Sequence, residues 1–183
     1  MPIVPDAKNW TWVLERPCMD CGFDAAAVDV MQIGSVIRAN ARQWPELLEA
    51  EHARLRPTDD QWSALEYGCH LRDVFLLFDY RLQLMLEEDG PRFKNWDQDA
   101  TASDQQYDQQ DPEEVSRELL VAADDIATRF ESVADDQWQR TGYRSDGAAF
   151  TIASYARYLL HDPIHHLDDV ARGNQAIADG LLD

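Results

Sequence analysis

Apolar residues recur at spacings of three and four through four long stretches of the chain, the period of a helix with one buried face. The clearest stretch carries Leu71, Val74, Phe75, Phe78, Leu82 and Met85. It opens with Ser63-Ala64-Leu65-Glu66, where Ser and a Glu three residues on can each satisfy a backbone N–H of the other, and it closes at Gly90-Pro91. The stretch before it starts at Asp24 as N-cap and runs through Val28, Met31, Ile33, Val36, Ile37 and Ala41. Pro45 interrupts it, and Leu47, Leu48, Ala50 and Leu55 predict that the same helix resumes after a kink. A third helix opens at Asp111-Pro112-Glu113-Glu114, with Asp at the cap and Pro at the first helical position, and buries Val115, Leu119, Leu120, Ala123, Ile126, Ala127, Phe130 and Val133. The fourth is capped by Thr151, carries Ala156, Leu160, Ile164, Leu167 and Ala171, and is expected to stop at Gly173.

No stretch alternates apolar and polar residues between turn signals, so no strand is predicted. Four long amphipathic helices in one chain predict an all-α, antiparallel four-helix bundle with its sites in the core. The expected organisation is an irregular arm over residues 1–23, the bundle over 24–173 and a short tail over 174–183. Trp10 and Trp12 of the arm are expected to cover part of the core. A polar connection from Glu88 to Asp111 is long enough to be a crossover, a loop covering a site or a disordered insert. As a crossover it would let the second and third helices run parallel. Residues 135–150 read as irregular, with a turn at Ser145-Asp146-Gly147.

The fourth helix contains His161-Asp162-Pro163-Ile164-His165-His166. At about 100° per residue, His161 and His165 share one flank of the apolar stripe, roughly 40° apart, and His166 falls on the opposite flank. His70 sits at the stripe edge of the second helix, so side-by-side packing would converge His70, His161 and His165 on one metal ion with positions left open. Imidazole suits zinc, nickel, iron and copper alike. The bland reading is that histidines at a bundle edge are hydrogen-bonded packing residues. Pro163 either aims the flanking ligands at one point or curves the helix around the core. Glu66, one turn before His70, either caps its helix or accepts a hydrogen bond from the imidazole. Asp162 and His166 stand as supporting or alternative ligands. Cys18-Met19-Asp20-Cys21 invites a zinc or a redox reading, but no second Cys-x-x-Cys completes a four-sulfur site, and a turn with reduced thiols is the simpler account. Trp96, Asp97 and Tyr107 on the long connection are candidate substrate or thiol contacts. No Ser-His-Asp order, phosphate-binding glycine loop or HExxH motif occurs, and no catalytic nucleophile on the protein is expected.

Composition narrows the partners. A net charge of −19 repels nucleic-acid backbones and anionic lipid, so neither nucleic acid nor membrane is an expected partner. Three cysteines are too few and odd in number for a disulfide framework. The N-terminus lacks a basic start followed by an apolar run, and no apolar run nears the roughly 20 residues of a membrane span, so a cytoplasmic location is expected. A homodimer through one bundle face is open.

Together, Trp62-Ser63-x-x-Glu66-x-x-x-His70 and His161-x-x-x-His165-His166 resemble the DinB-like family of four-helix-bundle metalloproteins, over about residues 25 to 172. Cys18-x-x-Cys21-Gly22-Phe23-Asp24 and Arg144-Ser145-Asp146-Gly147 look like the actinobacterial branch. The resemblance implies that His70, His161 and His165 bind a divalent metal, commonly zinc or nickel. It also implies kinship with S-transferases and isomerases that use mycothiol or bacillithiol, and with the metal-binding domain of maleylpyruvate isomerase. This chain has no counterpart of that isomerase's C-terminal domain, so that activity is not expected. The leading expectation is a metal-dependent S-transferase joining mycothiol to an electrophilic small molecule. The alternatives are a hydrolase using metal-bound water, or a non-enzymatic metal- or ligand-binding stress-response bundle.

Overall fold

The computed structural model describes residues 9–181, with the side chain of Leu181 excepted; residues 1–8 of the expected arm and 182–183 of the tail lie outside the described residues. Three long helices form where the caps foretold them. In α3 (Ala64–Glu87) the Ser63 hydroxyl accepts from the Glu66 backbone N–H at 3.3 Å, and the Glu66 carboxylate accepts from the Ser63 N–H at 2.9 Å. Asp111 accepts from the N–H groups of Glu113 and Glu114 at 2.9 and 3.0 Å and starts α5 (Pro112–Glu131). Thr151 and Ser154 exchange the same kind of bond at 2.9 and 3.1 Å and start α6 (Ile152–Leu181).

The first predicted helix is broken into pieces. Asp24 caps only a three-residue 3-10 turn, Ala25–Ala27, and Asp29 caps a second, Val30–Gln32. The α-helix proper, α1, covers Ile33–Ala41, and α2 covers Trp44–Glu49 with Pro45 in its first turn. The Pro45 ring would collide with the carbonyl four residues back, at Ala41, which is where α1 ends. No helix resumes over 50–55. At the other end of the chain α6 runs through Gly173 instead of stopping there. Gly173 serves a close approach: a Cβ on it would lie 2.6 Å from Pro57 Cγ. The expected tail is therefore helical as far as residue 181.

Side-chain pairs give the helix directions. Gly68 faces Val115, Arg72 pairs with Glu118 and Asp79 with Arg129, so α3 and α5 ascend together and run parallel. Phe78 stacks on Tyr155 while Tyr67 meets His166, so α3 and α6 are antiparallel. Gly34 faces Glu131, and Arg38 bonds Asp124 at 2.5 Å and Thr128 at 2.9 Å, with Glu131 also in contact, so α1 is antiparallel to α5. A parallel pair consecutive in the bundle demands a crossover, which residues 88–111 supply. They are partly ordered as α4 (Gln98–Asp104) and a 3-10 turn, Tyr107–Gln109.

A short hairpin, unpredicted, precedes α6: β1 (Thr141–Tyr143) pairs antiparallel with β2 (Ala149–Thr151), Gly142 opposite Phe150. Three-residue strands are too short to display alternation. Their turn forms where expected, with Asp146 accepting from Arg144 Nε at 2.9 Å and Gly147 at φ 94°. Among the described residues no helix is long and apolar enough to cross a membrane.

The core joins the helices along their apolar stripes, with Trp44, Phe75, Leu82, Phe130 and Tyr155 fully enclosed. One buried polar residue ties α1 and α2 to the ligand-bearing stretch of α6. Asn40 donates to the Pro163 carbonyl at 2.8 Å and accepts from the Trp44 indole at 3.2 Å. Replacing Asn40 by Ala removes its bond to the Pro163 carbonyl and leaves the buried Trp44 indole N–H without its acceptor, at a cost of about 1–3 kcal/mol. Urea unfolding of Asn40→Ala should show a lowered midpoint with an unchanged slope.

Candidate metal centre

Successive residues of α6 point in directions about 100° apart, so His161 and His165 cannot face the same neighbour as Asp162 and His166. The structure gives each pair its own. Asp162 and His166 look towards α3. His166 Nε2 lies 2.8 Å from Asp162 Oδ1, His70 Nε2 lies 3.4 Å from the same oxygen, and the two imidazole rings are 5.0 Å apart. One donor atom from each of His70, Asp162 and His166 falls within 4.8 Å of the others. His161 and His165 look towards the arm, where Cys18 and Cys21 complete a second group with donor atoms within the same distance. The expected set of His70, His161 and His165 is thus divided between two groups, because one helix face cannot meet both α3 and the arm.

The local sequence builds each side. His70 is buried in α3 between Trp62, 5.3 Å away, and Trp96, stacked at 5.7 Å. The described part of the arm opens with a 3-10 turn, Trp10–Leu14, whose Trp10 ring packs 5.1 Å from His161 and 5.3 Å from His165. Cys18 and Cys21 then sit in a turn closed by the Gly22 N–H on the Cys18 carbonyl at 2.9 Å, with Gly22 in the left-handed region at φ 73°.

Asp169 sits between the two groups. Its Oδ2 is 3.0 Å from His166 Nδ1 and 3.6 Å from His165 Nε2. Donating Nδ1–H to Asp169, His166 presents Nε2 to Asp162. His165 carries its contact on the other nitrogen and presents Nδ1 to Cys18 Sγ, 3.8 Å away. For His166, hydrogen-bonded at 3.0 Å, the carboxylate behind the ring sets its orientation, as such carboxylates do behind metal-binding imidazoles.

Electrostatics separate the groups further. Burial disfavours a charged His166, yet the Asp162 and Asp169 carboxylates outweigh it and hold the imidazole at about 9. Burial likewise opposes the charge of Asp162, and His70 and His166 overcome it, keeping that carboxyl well below its ordinary range. Burial and the neighbouring His165 push His161 down to about 4, and burial lowers His165 too. The arm-side imidazoles are therefore neutral, the form that binds metal.

The remaining expected residues find other places. Glu66 caps α3 and accepts from Arg56 Nε at 2.9 Å, so its carboxylate is occupied away from His70. Asp97 caps α4 by accepting from the Ala100 N–H at 2.9 Å. Tyr107 is buried, donating to Asp73 at 2.5 Å, and its ring meets Trp62 beside the site. Trp96 alone of the three packs on a candidate ligand. Beside both groups opens a cleft of about 410 Å³ whose walls include Trp10, Trp62, Tyr67 and Tyr158 and whose acidic residues are Asp20, Asp60, Asp99, Asp162 and Asp169. Among the described residues no Ser, Thr, Cys or Lys lines it. Cys69 is enclosed in the core and burial pushes its thiol up to about 12. The Cys21 thiol is likewise pushed up to about 11 by burial, the reverse of the depressed thiol of a redox pair.

The signal for the α3-side group was the Asp-x-x-x-His spacing of Asp162 and His166, one residue out of step with the paired histidines. The signal for the arm-side group was a Cys-x-x-Cys matched with a His-x-x-x-His rather than with a second cysteine pair.

A bundle carrying converged imidazole and carboxylate donors beside an open cleft defines a class of helical metalloprotein. Residues 35–170 match the DinB superfamily, and the chain belongs to that superfamily. A solved structure described as "YfiT from Bacillus subtilis is a probable metal-dependent hydrolase with an unusual four-helix bundle topology" has a similar fold, with a TM-score of 0.70 and 19% identity, covering 81% of this chain and 86% of that one. No curated protein matches the sequence. The donors present fit a divalent ion. His70 Nδ1 and His161 Nε2 are buried without a hydrogen-bond partner, and the histidine and carboxylate set on the α3 side has room for further ligands from the cleft.

The pH dependence of the metal-free protein follows from these shifts. His166 is raised from 6.5 to about 9, so its stabilising contribution is complete below about 6.5 and is lost as pH rises through about 9. Asp162 and Asp169 are lowered from 3.8, so theirs is present above that value and is lost only as pH falls through their depressed values. Imidazole nitrogen NMR of metal-free protein should give a midpoint near 9 for His166 and near 4 for His161.

Proposed function

We propose that the protein is a metal-dependent S-transferase that joins a low-molecular-weight thiol, mycothiol, to an electrophilic small molecule. The observation that carries the reading is the convergence of His70, Asp162 and His166 beside an open cleft. On this reading the nucleophile enters from solution. These three residues would hold a divalent ion, zinc or nickel, which when bound lowers the pKa of a thiol or water beside it.

The chain's own groups set the rest. Asp169 fixes the His166 ring through Nδ1. Trp62 and Trp96 enclose His70 and keep water from its faces. The acidic wall disfavours anionic reactants, and Arg172 is engaged by Asp168 and by Asp169 at 2.7 Å, so it offers no ready anion site. A neutral thiol rich in hydroxyl groups suits such a cleft, since carboxylates accept from hydroxyls and aromatic rings cover sugar faces. The resemblance of the Cys18 to Asp24 segment to the actinobacterial branch supports mycothiol over other thiols. In the reaction the thiol loses its proton, its sulfur bonds to the electrophilic carbon, and the leaving group departs with the bonding pair.

A second reading, metal-assisted hydrolysis, draws on the printed description of the Bacillus subtilis protein as a probable metal-dependent hydrolase. Dependence on added thiol separates the two. Metal-loaded protein should form the thioether from mycothiol and a halogenated aromatic electrophile, and His166→Ala should abolish it. Asp169→Asn should weaken metal binding about 10–100-fold while leaving the bundle folded. Turnover of an ester or amide with no thiol present would replace this proposal by the hydrolytic one.

A further inference from the structure

Cys18, Cys21, His161 and His165 share no donor with the site proposed for catalysis. We infer that these four side chains form a second, closed metal site of the zinc type, which staples the N-terminal arm to α6. Four protein donors fill a tetrahedron, so this site has no position for substrate. The pairing of a Cys-x-x-Cys turn with a His-x-x-x-His helix falls within the spacing of two-cysteine, two-histidine zinc sites.

The geometry is close to that of a filled site. Bonds of about 2.3 Å to sulfur and 2.0–2.1 Å to nitrogen set the donors of a tetrahedral zinc about 3.3–3.8 Å apart. Cys18 Sγ and His165 Nδ1 are 3.8 Å apart, and all four donor atoms lie within 4.8 Å of one another. Cys18 is 1% and His161 5% exposed, and His161 Nε2 is buried with no hydrogen-bond partner. An imidazole nitrogen left in that state costs free energy that a bound ion recovers. Two thiolates with two imidazoles select zinc over magnesium or calcium, which require oxygen.

The staple has a structural task. Beyond it, the described arm is fixed by ring packing of Trp10, Trp12 and Phe23 around His161 and by a few polar contacts, among them Arg172 to the Asp20 carbonyl at 3.5 Å. Trp10 and Asp20 form one wall of the cleft, so the ion would hold that wall in place.

Cobalt replacement of zinc in the full chain tests this. Cobalt-loaded wild-type protein should show thiolate-to-cobalt charge-transfer bands in the near ultraviolet and intense tetrahedral bands in the visible. Both should persist in His70→Ala, which disables only the open site, and the charge-transfer bands should be weakened or lost in Cys18→Ser and Cys21→Ser. A glutamate-specific protease should cut after the exposed Glu15 in the cysteine variants and spare the zinc-loaded wild type. Absence of thiolate bands in the wild type, or recovery of Cys18 and Cys21 as a disulfide from freshly purified protein, overturns the inference. Intact thiolate bands in a protein without transferase activity would instead sink the functional proposal and leave this one standing.

Discussion

A single carboxylate, that of Asp169, stands behind two histidines that are neighbours in sequence and point about 100° apart. It is hydrogen-bonded to His166 Nδ1 and lies 3.6 Å from His165 Nε2, so each ring turns its other nitrogen to the space in front of it. One helix thereby presents two sets of donors, one to α3 and one to the arm. The arrangement depends on α6 being continuous across Pro163, and on Asn40 gripping the carbonyl at that proline from the other side of the bundle. An imidazole whose orientation is fixed from behind loses less freedom when it takes up an ion.

The chain path makes room for this. Because α3 and α5 run parallel, the segment between them must travel back along the bundle. That return path carries Trp96 onto the face of His70 and brings Gln98 and Asp99 to the cleft. The long polar connection is thus both the topological necessity and part of the site. Its Asp97, which the sequence offers as a possible substrate contact, is used to start α4.

Caps and stripes were legible because they are local: Ser63 with Glu66, Asp111 with Pro112 and Thr151 with Ser154 act over a single turn. The first helix misled because Asp24 and Asp29 are both good caps, and each turns the chain before a full helix can form. Gly173 read as a stop because glycine ends many helices, whereas the contact with Pro57 that requires it lies far away in sequence. The histidines show the same limit most clearly. Helical phase gives the direction in which His161, Asp162, His165 and His166 point, but not what stands there, and Cys18 and Cys21 come from the opposite end of the chain.

The described lining of the cleft sets imidazoles, carboxylates and aromatic rings around one open space. If a thiol from solution attacks its partner directly, as proposed, both reactants occupy that space together. Initial velocities then follow a sequential rate law through a ternary complex rather than the ping-pong pattern of a covalent intermediate.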